Sequence, residues 1–401
     1  MPEITNPELL AIADSCVACG LCVPHCPSYK VLQNEADSPR GRIALMRGVL
    51  EQRLQPTERF QLHLDQCLTC RQCEKVCPNQ VAYGSLVDGM RAELLQLAPQ
   101  RLPWLKRMGL RLLAYQPEWW GRSLALLRSP TLRRVVHVVP QLRPLLPSLE
   151  ELSQHHQSQS WSDCYPPQGL QRGEVMLFLG CVARSVDVPA IDAAIALLNL
   201  FGYRVHVPSQ QVCCGAMLKH AGDATAAADL ARCNRVAFAG EMPLLVLASG
   251  CGADLYDAAD KGFGARVMEV AAFLDQHADW QGVECVPLAA RVAIHDPCSL
   301  RNVLRSEQAY YRLLRRIPGM ELLPLAGNGQ CCGAAGMYHL QHPHIAQQLR
   351  DDKMAAIGAA QADRIVSANF ACGMWINGAL RQSGQEVQHP LLLLQQHIRK
   401  V

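Results

Sequence analysis

Eight cysteines of the chain occur in two copies of one pattern, CxxCxxCxxxCP. They are Cys16, Cys19, Cys22 and Cys26 before Pro27, then Cys67, Cys70, Cys73 and Cys77 before Pro78. Three thiolates set so closely wrap a tight loop around a cuboidal 4Fe-4S cluster, and in this spacing the last cysteine of each run serves the other cluster. The expected ligand sets are therefore Cys16, Cys19, Cys22 and Cys77 for one cluster, and Cys67, Cys70, Cys73 and Cys26 for the second. Pro27 and Pro78 are expected to turn the chain away behind the last ligand. A zinc site uses four ligands and gives no reason for a doubled run closed by proline. Two clusters with exchanged ligands lie close together and make a short path for electrons.

A second set of eight cysteines lies in an internal repeat. The first copy runs through VMLFLGCVARS at Cys181, QVCCGAM at Cys213 and Cys214, and LLVLASGCGADL at Cys251. The second runs through VAIHDPCSLRN at Cys298, GQCCGAAG at Cys331 and Cys332, and RIVSANFACGMW at Cys372. The intervals nearly coincide. A Cys-Cys pair alone is compatible with small buried residues, but a register-matched set of four in each copy points to metal, enough for one Fe-S cluster or one zinc per unit. Cys164, Cys233 and Cys285 fall outside both patterns and read as structural thiols.

The elements that must hold these residues follow from periodicity. Ile43, Met46, Leu50 and Leu54 recur at helical spacing after the start signal Ser38-Pro39, and a second helix is expected from about Ser85 to Leu97. In the repeat, the short apolar runs Val175–Leu179, Leu244–Leu247, Val292–Ile294 and Ile365–Val366 read as buried strands, with helices such as AIDAAIALLNLFG and HIAQQLRDDKMAAIG between them. The cysteines then gather at the carboxyl ends of parallel strands, where open α/β sheets leave a crevice. Gly215 and Gly333, after each Cys pair, allow close backbone approach to a cluster. The expected fold is an α-helical two-cluster ferredoxin-like domain (1–100), a basic helical connector and linker (101–172), and two repeated α/β units with parallel strands (173–290 and 291–401). The connector carries Arg101, Lys106, Arg107, Arg111, Arg122, Arg128, Arg133, Arg134 and Arg143 against one acid, Glu118, with Trp104, Trp119 and Trp120. Solvated arginines on amphipathic helices are the plain reading of that stretch, ahead of a membrane-surface or docking face.

Composition bounds the rest. The chain has 401 residues, 19 cysteines, 49% hydrophobic residues and a formal net charge of +3. That suffices for more than one core and excludes neither sign of partner, but it carries no basic and aromatic interleaving of the kind that binds nucleic acid. No secretory leader and no apolar run of about 20 residues is visible, so many thiols imply a reducing, cytoplasmic setting. No GxGxxG follows a strand, so neither flavin nor nicotinamide is expected on this chain.

The order of these motifs resembles the iron-sulfur subunit family of glycolate oxidase, a two-cluster ferredoxin domain followed by two cysteine-rich CCG domains. The residues that carry the resemblance are SCVACGLCVPHCPSY, DSPRGRI, LDQCLTCRQCEKVCPNQVAYG, and the paired ASGCGA and QCCGAAGMY segments. Similar modules occur in iron-sulfur subunits of anaerobic glycerol-3-phosphate dehydrogenase, in D-lactate utilisation and in heterodisulfide reductase. The resemblance implies a subunit of an oxidoreductase complex in which a separate FAD-containing flavoprotein oxidises a 2-hydroxy acid. This subunit would carry the electrons on, toward a quinone, with peripheral contact at the inner face of the cell membrane. In the heterodisulfide reductase version each CCG domain ends in CxxC and offers a fifth thiolate; here Asp254 and Trp375 stand at those positions. That ranks a catalytic disulfide-reducing site below electron transfer, and zinc-bound docking units remain a third reading. His295 and Asp296 flank Cys298 as candidates for tuning a cluster or relaying a proton, against a plain hydrogen-bonded role. Arg40 and Arg42 are candidates for balancing cluster charge, against solvated surface arginines.

Overall fold

Prolines and small polar caps organise the amino-terminal part. The computed structural model describes residues 4–118, 155–157, 159–258, 260–381 and 383–400. Helices Pro7–Asp14, Pro27–Leu32, Pro39–Leu50, Glu58–Asp65, Gln72–Lys75 and Tyr83–Leu97 account for the ferredoxin-like region. Pro27 and Pro39 take the first helical position, where a missing N–H costs nothing, so Pro27 does more than turn the chain: it opens a helix directly behind Cys26. Ser38 caps the next helix, its hydroxyl accepting from the Gly41 amide at 3.0 Å. That helix ends at Leu50, and Leu54, expected on its apolar stripe, lies beyond it and is partly exposed. Leu9, Met46, Leu64, Leu86, Val87 and Met90 are buried together as the core of this region.

The two repeated units form separate sheets with one topology. In the first, β1 (Cys164–Tyr165), β2 (Gly173–Phe178), β3 (Tyr203–His206), β4 (Leu244–Val246) and β5 (Val267–Glu269) are ordered β1-β3-β2-β4-β5. All neighbours are parallel except β1 against β3. A short strand β6 (Val283–Cys285) follows, and the second unit contains β7 (Ala290–His295), β8 (Met320–Pro324), β9 (Arg364–Ser367) and β10 (Val387–Gln388) in the fully parallel order β10-β9-β7-β8. Thus β2, β3, β4 and β5 correspond to β7, β8, β9 and β10, and the duplication of the cysteines is a duplication of the fold. The inner strands β2, β4, β7 and β9 are parallel and buried, which is why they read as continuous apolar runs. A last strand, β11 (Ile398–Lys400), returns to pair antiparallel with β6. Cys164–Tyr165, inside the stretch read as linker, belongs to the first sheet.

Of the basic connector, residues 101–118 are described, most of them in helix Trp104–Tyr115. Arg107 and Arg111 both grip Asp223 of the first unit, each Nε at 2.9 Å. Trp119, Trp120 and the arginines from Arg122 to Arg143 lie outside the described residues.

Candidate metal centres

The two amino-terminal runs meet across their own fold. Cys16, Cys19, Cys22, Cys73 and Cys77 line one pocket together with the apolar Ile43, Val81 and Pro78. Cys26 lies with Cys67, Cys70 and Cys73, close enough that these sulfurs act on one another electrostatically. The two runs thus meet in space, with Cys77 beside the first run and Cys26 beside the second. Burial pushes the Cys22 thiol up to about 11 and holds Cys70 and Cys73 well above the ordinary thiol range. Buried thiols of this kind keep their protons until a cation takes their place, which couples metal binding to proton release. The Thr69 amide and the Tyr83 hydroxyl lie 3.4 and 3.5 Å from Cys67 Sγ as donors, the kind of contact that sets a cluster's potential. These donor sets fit 4Fe-4S clusters in number and chemistry.

The two arginines part ways. Arg40 is partly exposed, pairs with Glu35 at 2.6 Å and reaches the Ala18 carbonyl at 3.4 Å. Arg42 is 0% exposed. Its guanidinium donates to the His63 carbonyl at 2.5 Å, to Ser28 Oγ at 3.0 Å and to Asp37 at 3.2 Å, and it stands 4.0 Å from Cys26 Sγ. It is a fixed buried cation beside the second cysteine group, not a surface arginine.

In each repeated unit the cysteines collect at the carboxyl ends of three strands. Cys181 follows β2, Cys213 and Cys214 follow β3, and Cys251 lies in helix Ser249–Tyr256 behind β4. Cys298 follows β7, Cys331 and Cys332 follow β8, and Cys372 lies in helix Phe370–Leu380 behind β9. In the second unit Cys298 and Cys331 sulfurs are 3.9 Å apart, and those of Cys332 and Cys372 3.0 Å. In the first, hydrogen bonding among the sulfurs and burial hold Cys213, Cys214 and Cys251 well above the usual thiol range. The amides of Gly215 and Gly333 each donate to the first sulfur of the preceding pair, both at 3.5 Å. Their φ angles are +98° and +89°. At Gly333 a Cβ would also come within 2.5 Å of the Ala346 carbonyl, so this glycine serves helix packing as well as approach to the sulfurs.

The fifth-ligand positions are otherwise engaged. Asp254 is bonded to Lys219 at 3.0 Å. Trp375 donates its indole N–H to the Cys332 carbonyl at 3.0 Å and lies under the Arg350 guanidinium. His295 ends β7 and is fully buried, with burial, Lys353 and Arg301 lowering it to about 3, so the ring is neutral. Asp296 faces elsewhere, accepting from the Tyr311 hydroxyl at 3.1 Å and from Asn328 at 3.0 Å. One residue escaped the sequence reading. Lys353 is 2% exposed on helix Pro343–Ala360; desolvation lowers its ammonium from the ordinary lysine value, while the sulfurs of Cys332, Cys331, Cys372 and Cys298 oppose that shift. Its signal was present in the sequence, as a lysine in register with the buried residues Ile345, Leu349 and Ile357. Of the three thiols outside the patterns, Cys233 is exposed and Cys164 and Cys285 sit in edge strands.

The second amino-terminal run is docked onto the second unit. Asn302, in the turn behind Cys298, donates to the Cys70 carbonyl at 2.7 Å, and the Tyr338 hydroxyl donates to the Gln66 carbonyl at 3.0 Å. Lys75 reaches the Arg301 carbonyl at 3.1 Å, and Arg71 is ion-paired to Asp257 of the first unit. Cys70 and Cys298 pack against one apolar cluster formed by Leu68, Cys331, Tyr338, Ile345, Ala346 and Leu349.

Comparison with known proteins fits this geometry. Residues 12–81 match the 4Fe-4S dicluster domain, which implies two 4Fe-4S clusters there, and residues 175–256 and 292–377 each match the Cysteine-rich domain. The chain is 32% identical to the glycolate oxidase iron-sulfur subunit of Escherichia coli (strain K12), over 98% of this chain and 96% of that one. The chain belongs to the glycolate oxidase iron-sulfur subunit family. A probable member from Bacillus subtilis (strain 168) is also 32% identical, over 92% of this chain and 89% of its own. A fumarate reductase (CoM/CoB) subunit of Methanothermobacter marburgensis is 26% identical over 92% of this chain and 68% of its own. As a family member the chain is a subunit of an oxidoreductase. Among the described residues no helix is long and apolar enough to cross a membrane.

Proposed function

We propose that the chain is the electron-transfer subunit of a flavin-dependent 2-hydroxy-acid dehydrogenase of the glycolate type, taking electrons from a partner FAD flavoprotein and passing them toward a quinone. Cys16, Cys19, Cys22 and Cys77 would hold one 4Fe-4S cluster, and Cys67, Cys70, Cys73 and Cys26 the second. Cys181, Cys213, Cys214 and Cys251, and likewise Cys298, Cys331, Cys332 and Cys372, would hold a further Fe-S cluster or zinc. Such clusters supply one-electron carriers that link a two-electron flavin to an acceptor. The chain's own residues fix the spacing, shield the sulfurs from water and set the local charge.

The observation that carries this reading is the junction at Cys70. The Asn302 bond at 2.7 Å and the shared apolar cluster hold a cysteine of the first cluster pair beside Cys298 and Cys331. Two thiol-rich sites are thereby joined through packed side chains. At the other end, Cys19 is exposed beside exposed Val17 and Leu21, which gives an external partner an apolar edge to approach. Helix Trp104–Tyr115 exposes Trp104, Leu105, Met108 and Leu112, which supports peripheral membrane contact. The hydroxy-acid class is supported by the likeness to the Escherichia coli glycolate oxidase subunit.

The test is anaerobic affinity purification, identification of the co-purifying flavoprotein, and assay with glycolate, D-lactate and glycerol 3-phosphate as donors. Cys70→Ala should abolish quinone-linked turnover while substrate still reduces the partner's flavin. Unchanged turnover contradicts the route. A disulfide-reducing site of the heterodisulfide reductase kind is less supported, because Asp254 and Trp375 offer no fifth thiolate; disulfide reduction by the isolated chain would reverse that ranking.

A further inference from the structure

The two CCG sites share a topology but not a donor set. His295, the last residue of β7, places a ring nitrogen within 4.8 Å of the sulfurs of Cys332 and Cys372, with all three side chains buried. Its Nδ1 is paired with Ser367 Oγ of β9 at 2.9 Å. That is the kind of outer contact that fixes the orientation and tautomer of a ligating histidine, and it leaves Nε2 for a metal. The corresponding residue at the end of β2 is Phe178, three positions before Cys181 as His295 is before Cys298. Phe178 packs on Phe238 with ring centroids 5.9 Å apart and offers no donor. The first unit therefore presents no imidazole at this position, and its nearby carboxylate, Asp254, is bonded to Lys219.

In the second site, Trp375 occupies the sequence place of a fifth thiol and donates to the Cys332 carbonyl. A nitrogen donor has entered from the strand end while a sulfur donor is missing from the helix. We propose that His295 is a ligand of the metal centre in the second unit, which is a mixed imidazole and thiolate site, whereas the first unit's centre is bound by thiolates only. This rests on the reading that the CCG cysteines bind metal. A neutral imidazole in place of an anionic fifth thiolate leaves less negative charge around the iron and a higher reduction potential than a five-thiolate set. The second site then holds an electron more readily than a five-thiolate centre would, directly beside Cys70.

The experiment uses the full chain purified anaerobically, with and without 15N-histidine, and measures iron, zinc and pulsed electron paramagnetic resonance of the reduced protein. The expected result is a strong coupling from a directly bound nitrogen that changes with the label, disappears in His295→Ala, and is replaced by a centre of lower potential in His295→Cys. If the second site holds zinc, absorption fine structure at the zinc edge should instead show a nitrogen scatterer that is lost in His295→Ala. Absence of nitrogen coupling or scattering in the native chain overturns the proposal, as does its persistence in His295→Ala or a metal content of only about eight irons and no zinc. The native measurement needs no variant to fold. In the native chain, absence of nitrogen signals with the ferredoxin-type signals intact contradicts the role of His295; absence of the ferredoxin-type signals as well contradicts the electron-transfer reading.

Discussion

Individual residues carry more of the electrostatics than their positions in the sequence suggest. Arg42 looks like an ordinary helix-surface arginine beside Arg40, yet it is sealed among Asp37, Ser28, the His63 carbonyl and Cys26. Removing one partner of a buried ion pair leaves an uncompensated charge and costs about 3–5 kcal/mol. Arg42→Met should therefore lower stability by about that amount in chemical denaturation and shift the second cluster's potential downward in a redox titration, since a nearby cation favours the more reduced cluster. Glu269 offers a pH test. It is 1% exposed, caps helix Val270–His277 through the Ala271 amide and accepts from the Tyr310 hydroxyl, while burial raises it to about 8. A carboxyl whose folded value lies above its unfolded value of 4.5 contributes fully below that pH and loses its contribution as pH rises toward 8. Glu269→Gln keeps the acceptor and removes the titration, so its melting temperature should exceed the parent's at pH 8 and lose the slope between 4.5 and 8.

At the scale of elements, the docking of helix Trp104–Tyr115 is concentrated on one carboxylate. Asp223 caps helix Ala224–Ala237 and accepts paired bonds from both Arg107 and Arg111. Against desolvation, which raises it, these bonds pull Asp223 from 3.8 down to about 2. Its contribution is present above about pH 4 and fades as pH falls toward 2. Asp223→Ala, losing cap and pairs together, should cost about 2 kcal/mol and expose the helix to limited proteolysis. The strands and long helices around this contact were legible in the sequence because periodicity is local: the apolar runs became β2, β4, β7 and β9, and Ser38-Pro39 began a helix as expected. The short strands β3 and β8 were not read, since YRVH and MELLP lack a clear pattern and owe their state to parallel pairing with β2 and β7. The cysteine groups were legible for a different reason, namely that cluster ligands are bound to fixed local spacing. What the spacing did not reveal is which groups face each other. Cys70 and Asn302 are 232 positions apart, and His295 was visible without any sign that Cys332 and Cys372 would close on its ring.

Across the whole molecule, the amino-terminal domain is held to both repeated units through Arg71, Lys75, Cys70 and Tyr338, so the sites form one continuous body rather than beads on a linker. The duplication has diverged in function-bearing detail: one site is lined by thiols with Asp254 locked to Lys219, the other adds a histidine and a buried Lys353. The central claim is that the amino-terminal cysteines bind two 4Fe-4S clusters that carry electrons. The most direct measurement is iron and sulfide analysis of the anaerobically purified chain combined with electron paramagnetic resonance during reductive titration. The expected result is at least about eight irons per chain and signals from two interacting reduced clusters; an iron-poor, colourless protein with no paramagnetic signal on reduction would contradict it.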